Sequence, residues 1–302
     1  MTFDQNVYFG QPGSMFSLPH PRGGVKSTRG RPVQEFAIGN GEYRARKSLQ
    51  GSRVYSMNWE RLDFDTFSTL QAYDQGHMGP GPFAFLDPGQ RNMLMVNQSS
   101  STSLTNDTTN FTIAGSGQSI ASSTTLTTGV PRSLAWTFNY ASAASGASIL
   151  TLDSPYPGWP GIPVVNRALV FSFLARGGGT DGVLDLIPEL QWYDTAGVLL
   201  STSQGSALTT STGAWGTGLV TASPPANYAY VLPRVHYRSG ASAGSIVYLS
   251  SFQLEEGATR GTWRPGTGVH PVVVLGQEEA WPWLYPTEVR DSPTLTLRQD
   301  GR

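Results

Sequence analysis

Cysteine is absent from the sequence, and charged residues are scarce. Without cysteine, the chain has no disulfide framework, no thiolate metal site and no cysteine nucleophile. Charged residues make up 14% of the chain, about half the share typical of soluble proteins, and the net charge is −1. The nearest approach to a basic cluster is the glycine-rich segment 22–31, which we interpret as a solvated loop. We therefore expect no nucleic-acid partner.

Long hydrophobic runs are also missing, and none approaches the length of a membrane span. The N-terminus lacks the charged and apolar regions of a signal peptide. We therefore expect a protein that is made in a cytoplasm, is not secreted through a signal peptide and has no membrane-spanning segment.

Glycine, proline and aromatic residues are abundant, with 35 glycines, 21 prolines and an aromatic share of 11%. Glycine and proline favour turns, and the aromatic residues supply material for a core that disordered chains lack. The composition therefore predicts a globular, mostly β protein with many turns.

A strand, a helix and a second strand are predicted in order within residues 1–97. Arg53–Trp59 alternates as a strand does. Asp63 is suited to cap a helix, because a short acidic side chain accepts hydrogen bonds from the free N–H groups of the first turn. The helix would present an apolar stripe and end at a glycine: Phe64, Phe67, Leu70, Tyr73 and Gly76. A Gly-Pro turn then leads into a strand over Phe83–Leu86.

The segment W-E-R-L-D-F-D-T-F-S-T-L-Q-A-Y-D-Q-G, followed by G-P-F-A-F-L-D-P and R-N-M-L, resembles the N-terminal domain of bacteriophage minor tail proteins. The resemblance covers roughly residues 50–97. It implies a small β-domain that docks on the tail tube or the tail tip. An unrelated strand–helix–strand unit is the alternative interpretation.

Residues 98–268 have the strand spacing of a β-sandwich. The predicted strands are Ser133–Phe138, Ile149–Leu152, Ala168–Ala175, Leu184–Tyr193, Val198–Ser201, Gly218–Thr221, Tyr228–Tyr237 and Ser245–Leu254. In the last of these, alternation predicts that Ile246, Tyr248, Phe252 and Leu254 share one face. About eight short strands with frequent turns predict a β-sandwich or jelly roll.

Three pieces of this region, in order, resemble the carbohydrate-binding-like jelly-roll domains of bacteriophage tail proteins. They are I-P-V-V-N-R-A-L-V-F-S-F-L-A-R, L-Q-W-Y-D-T-A-G-V-L-L and the closing Q-L-E-E-G. The resemblance implies a jelly roll that either decorates a tail or binds a glycan.

Residues 269–302 are too few for an independent domain. Strands are predicted over Val272–Leu275 and Thr294–Leu297. The simplest arrangement is that these strands pair with the strands of the N-terminal residues in one β-domain. We therefore expect residues 1–97 and 269–302 to form the two halves of one tail-docking β-domain, with residues 98–268 inserted as a jelly roll.

No constellation of residues predicts catalysis. The chain lacks G-x-S-x-G, a P-loop and metal-binding histidine spacings, and its adjacent acidic pairs would point to opposite faces of a strand. Asp181, Asp185 and Glu189 could frame a calcium site, but we interpret them as solvated loop acids. We therefore expect no enzyme, no catalytic residue, no metal site and no cofactor.

The best candidates for carbohydrate binding lie on two predicted strands. In Tyr228–Tyr237, one face carries the alanine and valine residues that suit a core, and the other carries aromatic and basic residues. Tyrosine stacks on a sugar ring while arginine and histidine form hydrogen bonds with its hydroxyls. The candidates are Tyr228, Tyr230, Arg234, His236, Trp192 and Tyr193, and alternation places only one of the last two on this face. Aromatic packing within an assembly is the alternative role.

The preferred hypothesis is therefore a structural protein of a phage or phage-like virion tail, at the distal tail or tail tip. Its implied partners are the tail tube, the tail tip or hub, the tape measure and further copies of the chain, in a ring or a trimer. Five aromatic residues are expected to be buried in the docking domain or between subunits: Trp59, Phe83, Phe85, Trp281 and Trp283. A receptor-binding protein for host-surface glycan is the alternative, and a glycan-degrading tail enzyme is the third hypothesis.

Overall fold

The computed structural model describes residues 7–30, 33–37, 43–47, 52–87, 92–100, 108–115, 117–123, 130, 133–138, 148–154, 156–182, 184–237, 241–266, 268–280 and 289–299. Within them the chain forms twenty-two strands and two helices, so it is mostly β, as the composition predicts. It divides into two compact units. The first unit comprises Met1–Gln11, Phe16–Pro88 and His270–Arg302, and the second comprises Pro12–Met15 and Gly89–Val269.

The elements run in chain order through the first unit, then the second, then back to the first. The N-terminal elements are β1 (Val7–Gly10), β2 (Phe16–Leu18), β3 (Lys26–Gly30), β4 (Val33–Ala37), β5 (Tyr43–Lys47), β6 (Ser52–Asn58), β7 (Arg61–Asp63), α1 (Phe64–Asp74) and β8 (Phe83–Leu86). The elements of the second unit are α2 (Val96–Ser100), β9 (Phe111–Ala114), β10 (Gln118–Ser122), β11 (Leu134–Phe138), β12 (Ser148–Leu152), β13 (Ile162–Pro163), β14 (Leu169–Gly179), β15 (Asp185–Tyr193), β16 (Leu199–Gln204), β17 (Leu208–Thr209), β18 (Gly216–Ala222), β19 (Tyr230–Tyr237) and β20 (Ser245–Glu256). The last two strands are β21 (His270–Ala280) and β22 (Val289–Gln299).

One antiparallel sheet organises the first unit, with strand order β2-β1-β8-β21-β22-β6-β3 and β7 paired to β22. Strands β21 and β22 come from the C-terminal part of the chain, so the two ends of the sequence complete one sheet. The hairpin of β4 and β5 forms a separate two-stranded sheet.

Helix α1 forms where the cap and the stripe predict it. Asp63 accepts a hydrogen bond from the N–H of Thr66 at 2.8 Å, and Gly76 follows the helix with a φ of +77°. Phe67, Leu70 and Tyr73 are buried. The expected stripe was wrong at Phe64, which is 48% exposed, because the first residue of the helix lies at its solvent edge.

The core of the first unit contains three of the five aromatic residues expected to be buried in the docking domain or between subunits. Trp59, Phe83 and Phe85 are 2%, 3% and 0% exposed. They pack in one cluster with residues of the C-terminal strands: Val272, Leu295 and Leu297. Side chains this buried stabilise the unit itself, at about 1.5–3 kcal/mol each, and offer no surface to a neighbouring chain. Trp281 and Trp283 lie outside the described residues.

The second unit is a β-sandwich. One sheet has the order β10-β11-β20-β14-β18, and the other has the order β16-β15-β19-β12-β9, with β13 paired to β19 and β17 paired to β15. Among the described residues, the strand pairings in both sheets are antiparallel. Strands β14 and β18 of the first sheet contact β15 of the second, so the two sheets pack face to face. The chain crosses repeatedly between sheets, as in jelly rolls.

A bulge in β20 overturns the expected sharing of one face by Ile246, Tyr248, Phe252 and Leu254. Ser251 has a φ of +55°, and two residues of β20 there oppose one residue of β14. The extra residue exchanges the faces beyond it. The residues that share the buried side are therefore Val247, Leu249, Phe252 and Leu254, all 0% exposed.

The boundary between the units lies nine residues earlier than the sequence suggested, because residues 89–97 belong to the second unit. Asn92 explains this, because its side chain donates to the backbone oxygens of Phe252 and Arg264 and accepts from the N–H of Leu254. Helix α2 follows and contacts β20. Sequence analysis did not predict α2, because its five polar-rich residues show no helical periodicity. Neither helix in the described ranges is long and apolar enough to cross a membrane.

Candidate functional site

Strands β15 and β19 create a surface on the sandwich that combines aromatic and charged side chains. In their register Glu189 lies opposite Arg234, and Tyr193 lies opposite Tyr230. Side chains alternate, so one face of this strand pair is set apart from the core. We call it the outer face, and its residues on these two strands are Ile187, Glu189, Gln191, Tyr193, Tyr230, Leu232, Arg234 and His236.

The outer face is recessed. Ile187, Glu189 and Tyr230 are buried although they point away from the core, at 5%, 3% and 7% exposure. Gln191, Tyr193, Leu232, Arg234 and His236 are partly exposed. Buried polar groups beside a partly exposed aromatic ring, here that of Tyr193, are typical of ligand-binding clefts.

The opposite side of the same strands is core, as the alternation in β19 predicts. Val231, Val235 and Tyr237 are 0–1% exposed. Trp192 also lies on this side, fully buried, and its indole N–H donates to the hydroxyl of Ser203 at 3.0 Å. Of the two adjacent aromatic residues in β15, Tyr193 therefore faces outward, and Trp192 is excluded from the candidate site.

A carboxylate organises the polar part of the outer face. Oε1 of Glu189 accepts from Nε2 of Gln204 at 2.6 Å and lies 3.0 Å from Nδ1 of His236. Oε2 of Glu189 lies 3.9 Å from Nε of Arg234. A carboxylate at this depth is tolerated because several donors surround it.

Two buried nitrogen atoms of this cluster have unused hydrogen-bonding capacity. Among the described residues, neither Nε of Arg234 nor Nε2 of His236 has a hydrogen-bond partner. The side chains of Arg234 and His236 nevertheless keep 12% and 21% of their surface exposed. An unpartnered buried polar atom costs about 1–3 kcal/mol. Both atoms lie just beneath the accessible surface, beside side-chain atoms that remain partly exposed.

Tyr193 and Tyr230 form the aromatic part of the outer face. The hydroxyl of Tyr193 donates to Oε1 of Gln191 at 2.8 Å. Burial raises the pKa of both tyrosines, and at Tyr193 the positive charge of Arg234 opposes that rise. This opposition reflects the proximity of the tyrosine ring to the guanidinium group.

Tyr228 lies two residues before β19, outside the strand on which alternation placed it. It is partly exposed, and burial raises its pKa. The backbone leaves the ladder here, because the N–H of Ala229 donates to the oxygen of Tyr193 and its oxygen accepts from Val164. Strand alternation therefore says nothing about the direction of Tyr228.

A second carboxylate borders the outer face. Thr112 of β9 is aligned with Thr151 of β12, and Thr151 is aligned with Arg234. The hydroxyl of Thr112 donates to Oδ2 of Asp153 at 2.8 Å, which holds Asp153 on that side of the sheet. Burial raises the pKa of Asp153, and the hydrogen bond from Thr112 partly offsets the rise.

The three acids that could have framed a calcium site are separated in the structure. Asp181 accepts from the hydroxyl of Ser245, and Asp185 accepts from that of Thr209. Glu189 is buried in the centre of β15, so its interpretation as a solvated loop acid was wrong. Within the described ranges no group of three or more histidine, aspartate or glutamate side chains is placed to hold a metal ion.

Sequence reasoning missed Glu189 and Gln204 as members of the site. One signal was present, because a glutamate in the middle of a predicted apolar strand requires partners. Its partner Gln204 lies fifteen residues further along the chain, on β16. Sequence alone does not supply the register that brings the two together.

No protein-family model matches the chain, and no curated protein matches it. Solved structures with partial similarity include a xylan-binding domain from Paenibacillus barcinonensis, with 14% identity and a TM-score of 0.38, covering 57% of this chain and 97% of that one. A carbohydrate-binding module of the β-sandwich superfamily has 10% identity and a TM-score of 0.39, covering 83% and 85%. The enzymatically active domain of a bacteriophage CBA120 tailspike protein has 10% identity and a TM-score of 0.38, covering 55% and 21%.

The matched region thus spans only about a fifth of the tailspike domain. An arabinose-bound α-L-arabinofuranosidase is similar over 26% of its length, with a TM-score of 0.41. These TM-scores are all below 0.5, and the β-sandwich architecture follows instead from the strand pairing within this chain.

Proposed function

We propose that the chain binds carbohydrate on the outer face of its second unit, as a receptor-binding protein for host-surface glycan in a phage or phage-like tail. One observation carries the proposal. Tyr193 and Tyr230 are adjacent to a Glu189–Arg234–His236 cluster on the same recessed face.

This arrangement offers the two kinds of contact that sugars need. A tyrosine ring packs against the apolar face of a pyranose, while charged side chains exchange hydrogen bonds with its hydroxyls. Glu189 fixes the direction of Arg234 and His236 before a ligand arrives, which reduces the entropy lost on binding. The two unpartnered nitrogen atoms supply hydrogen-bonding capacity that the fold leaves unused.

The test is a glycan array with the full chain, followed by calorimetry on each positive glycan. The Arg234→Ala variant should weaken binding by about 10- to 100-fold, because a hydrogen bond to a charged group contributes about 1.5–3 kcal/mol. Arg176→Ala is the matched control, since Arg176 is on β14 of the other sheet and donates to the backbone oxygen of Thr212. It should leave the affinity unchanged.

A second pair of variants guards against misfolding. Tyr193→Ala should reduce affinity, whereas Tyr248→Ala on β20 should retain it, and circular dichroism should show all four variants folded. A blank array with the folded chain, or equal losses in both members of a pair, would contradict the proposal.

We further propose that the chain binds its glycan without cleaving it. Glycosidases hold two carboxyl groups free to act on the scissile bond. Here Glu189 is committed to Gln204, His236 and Arg234. The other two carboxylates of the face, Asp153 and Asp185, accept hydrogen bonds from Thr112 and Thr209. Incubation of the chain with each positive glycan should release no new reducing ends, and their appearance would indicate a glycan-degrading enzyme instead.

A structural role in the virion tail is the second candidate, and it is favoured by the strand–helix–strand unit of β6, α1 and β8. These three elements contain the residues that resemble phage minor tail proteins. They belong to the first unit, whereas the sandwich forms the second. Electron microscopy of particles labelled with an antibody against the chain tests this role. Label at the distal tail would support it, and label elsewhere would contradict it.

A further inference from the structure

The charges on the outer face carry information about the ligand. Glu189 and Arg234 offset each other at 3.9 Å. Asp153 and Asp185 add two more carboxylates, since Asp185 begins β15 two residues before Ile187 on the same side. Among the described strand residues on this face, Arg234 is the one arginine or lysine. The face is therefore electronegative.

The hydrogen-bonding pattern points in the same direction. A carboxylate only accepts hydrogen bonds, so Nδ1 of His236 carries the hydrogen that faces Glu189. In the neutral ring, Nε2 is then an acceptor, while Nε of Arg234 is a donor. A hydroxyl group both donates and accepts, so it can satisfy either kind of atom, whereas an anionic group only accepts.

An anionic group fits this surface poorly. A carboxylate, sulfate or phosphate offers no hydrogen to Nε2 of His236 and meets Asp153 and Asp185 with like charge. Repulsion between like charges on the ligand and the site lowers the affinity for anionic ligands and so favours neutral ones. Arg234 does not compensate, because Glu189 already neutralises it.

We propose, resting on the carbohydrate-binding function above, that the outer face selects neutral glycans rich in hydroxyl groups and rejects uronate, sulfated and phosphorylated ones. Asp153 and Asp185 contribute to this selection by electrostatic repulsion of anionic groups. Arg234 and His236 contribute through the hydrogen bonds that they offer to hydroxyl groups.

Matched polymers test the selection with the full chain. Dextran is compared with dextran sulfate, hydroxyethylcellulose with carboxymethylcellulose, and neutral oligosaccharides with their uronate counterparts, at pH 8 and low ionic strength. In each pair that binds, the neutral member should bind at least about tenfold tighter. Added salt should reduce the difference in affinity between the neutral and the anionic polymer of each pair, because it screens the repulsion between like charges.

A charge variant isolates the cause. Asp153→Asn combined with Asp185→Asn should improve the binding of the anionic member relative to the neutral one by about two- to threefold per removed charge. Asp74→Asn, which removes a charge from the exposed end of α1, should leave the ratio unchanged.

The outcomes separate the two proposals. Binding of neither member in any pair overturns the proposed function and the selectivity with it. Tighter binding of the anionic members, or a ratio that the double variant does not shift, overturns the selectivity while carbohydrate binding stands.

Discussion

Glu189 is the residue on which the polar cluster of the outer face depends. It is 3% exposed and serves Gln204, His236 and Arg234 together. Strand alternation predicted the outward direction of Arg234 and His236 and the inward direction of Val235 and Tyr237. It did not predict the role of Glu189, because cross-strand register is not encoded in the local pattern.

The Glu189→Ala variant should lower the free energy of unfolding by about 3 kcal/mol, because it leaves a nearly buried guanidinium without a compensating charge. Urea denaturation measures the change. The double variant Glu189→Ala/Arg234→Ala should recover part of the loss, since both charges are then removed. Additive losses in the double variant would show that the ion pair does not couple the two residues.

At the scale of single elements, helix α1 shows how far local signals reach. The cap at Asp63, the buried Phe67 and Leu70 and the stop at Gly76 were all predicted and are confirmed. Strand β20 shows where they fail. The residues around Ser251 do not predict a positive φ at this position. The β-bulge at Ser251 nevertheless determines which side chains of β20 reach the core.

The cap at Asp63 makes the stability of α1 dependent on pH. Hydrogen bonds from the side chain and backbone of Thr66 lower the pKa of Asp63 below its ordinary value of 3.8. A depressed folded-state pKa adds stability above the unfolded value, and that stability is lost as the pH falls through the folded-state pKa.

Asp63→Ala should therefore cost about 1 kcal/mol at pH 7. Its difference from the unchanged chain should shrink as the pH falls below 3.8, when followed by denaturant titration at several pH values. Asp65→Ala is the control, because Asp65 makes its hydrogen bonds to Thr69 and to Asp63 through its backbone, which the substitution keeps. A loss that is independent of pH would show that the charge of Asp63 contributes nothing.

At the scale of the whole molecule, the sequence anticipated an interrupted β-unit because residues 269–302 are too short to fold alone. Strands β21 and β22 do complete the first sheet, although the boundary moved to Pro88. The role of the aromatic residues was harder to predict. Hydrophobicity alone does not distinguish a core residue such as Phe85 from a residue that is buried in an interface with another chain.

Removal of the second unit tests the independence of the first. Strands β8 and β21 are antiparallel neighbours in the sheet, and Phe85 lies opposite His270. A short glycine–serine loop in place of residues 89–269 would therefore join adjacent strands as a hairpin. The shortened chain should unfold cooperatively in a thermal scan followed by near-ultraviolet circular dichroism. Absence of a cooperative transition would show that the first unit needs the second to fold.

The pairing of β8 with β21 also determines how the protein bears mechanical load. Tension on residues 89–269 through the connections after Pro88 and before His270 enters the first unit at these two strands, and the short segment Pro12–Met15 adds a further connection between β1 and β2. Both are interior strands of the sheet, flanked by β1 and β22. Hydrogen-bond ladders on both sides therefore resist the pull, whereas a strand at the sheet margin would peel away one bond at a time.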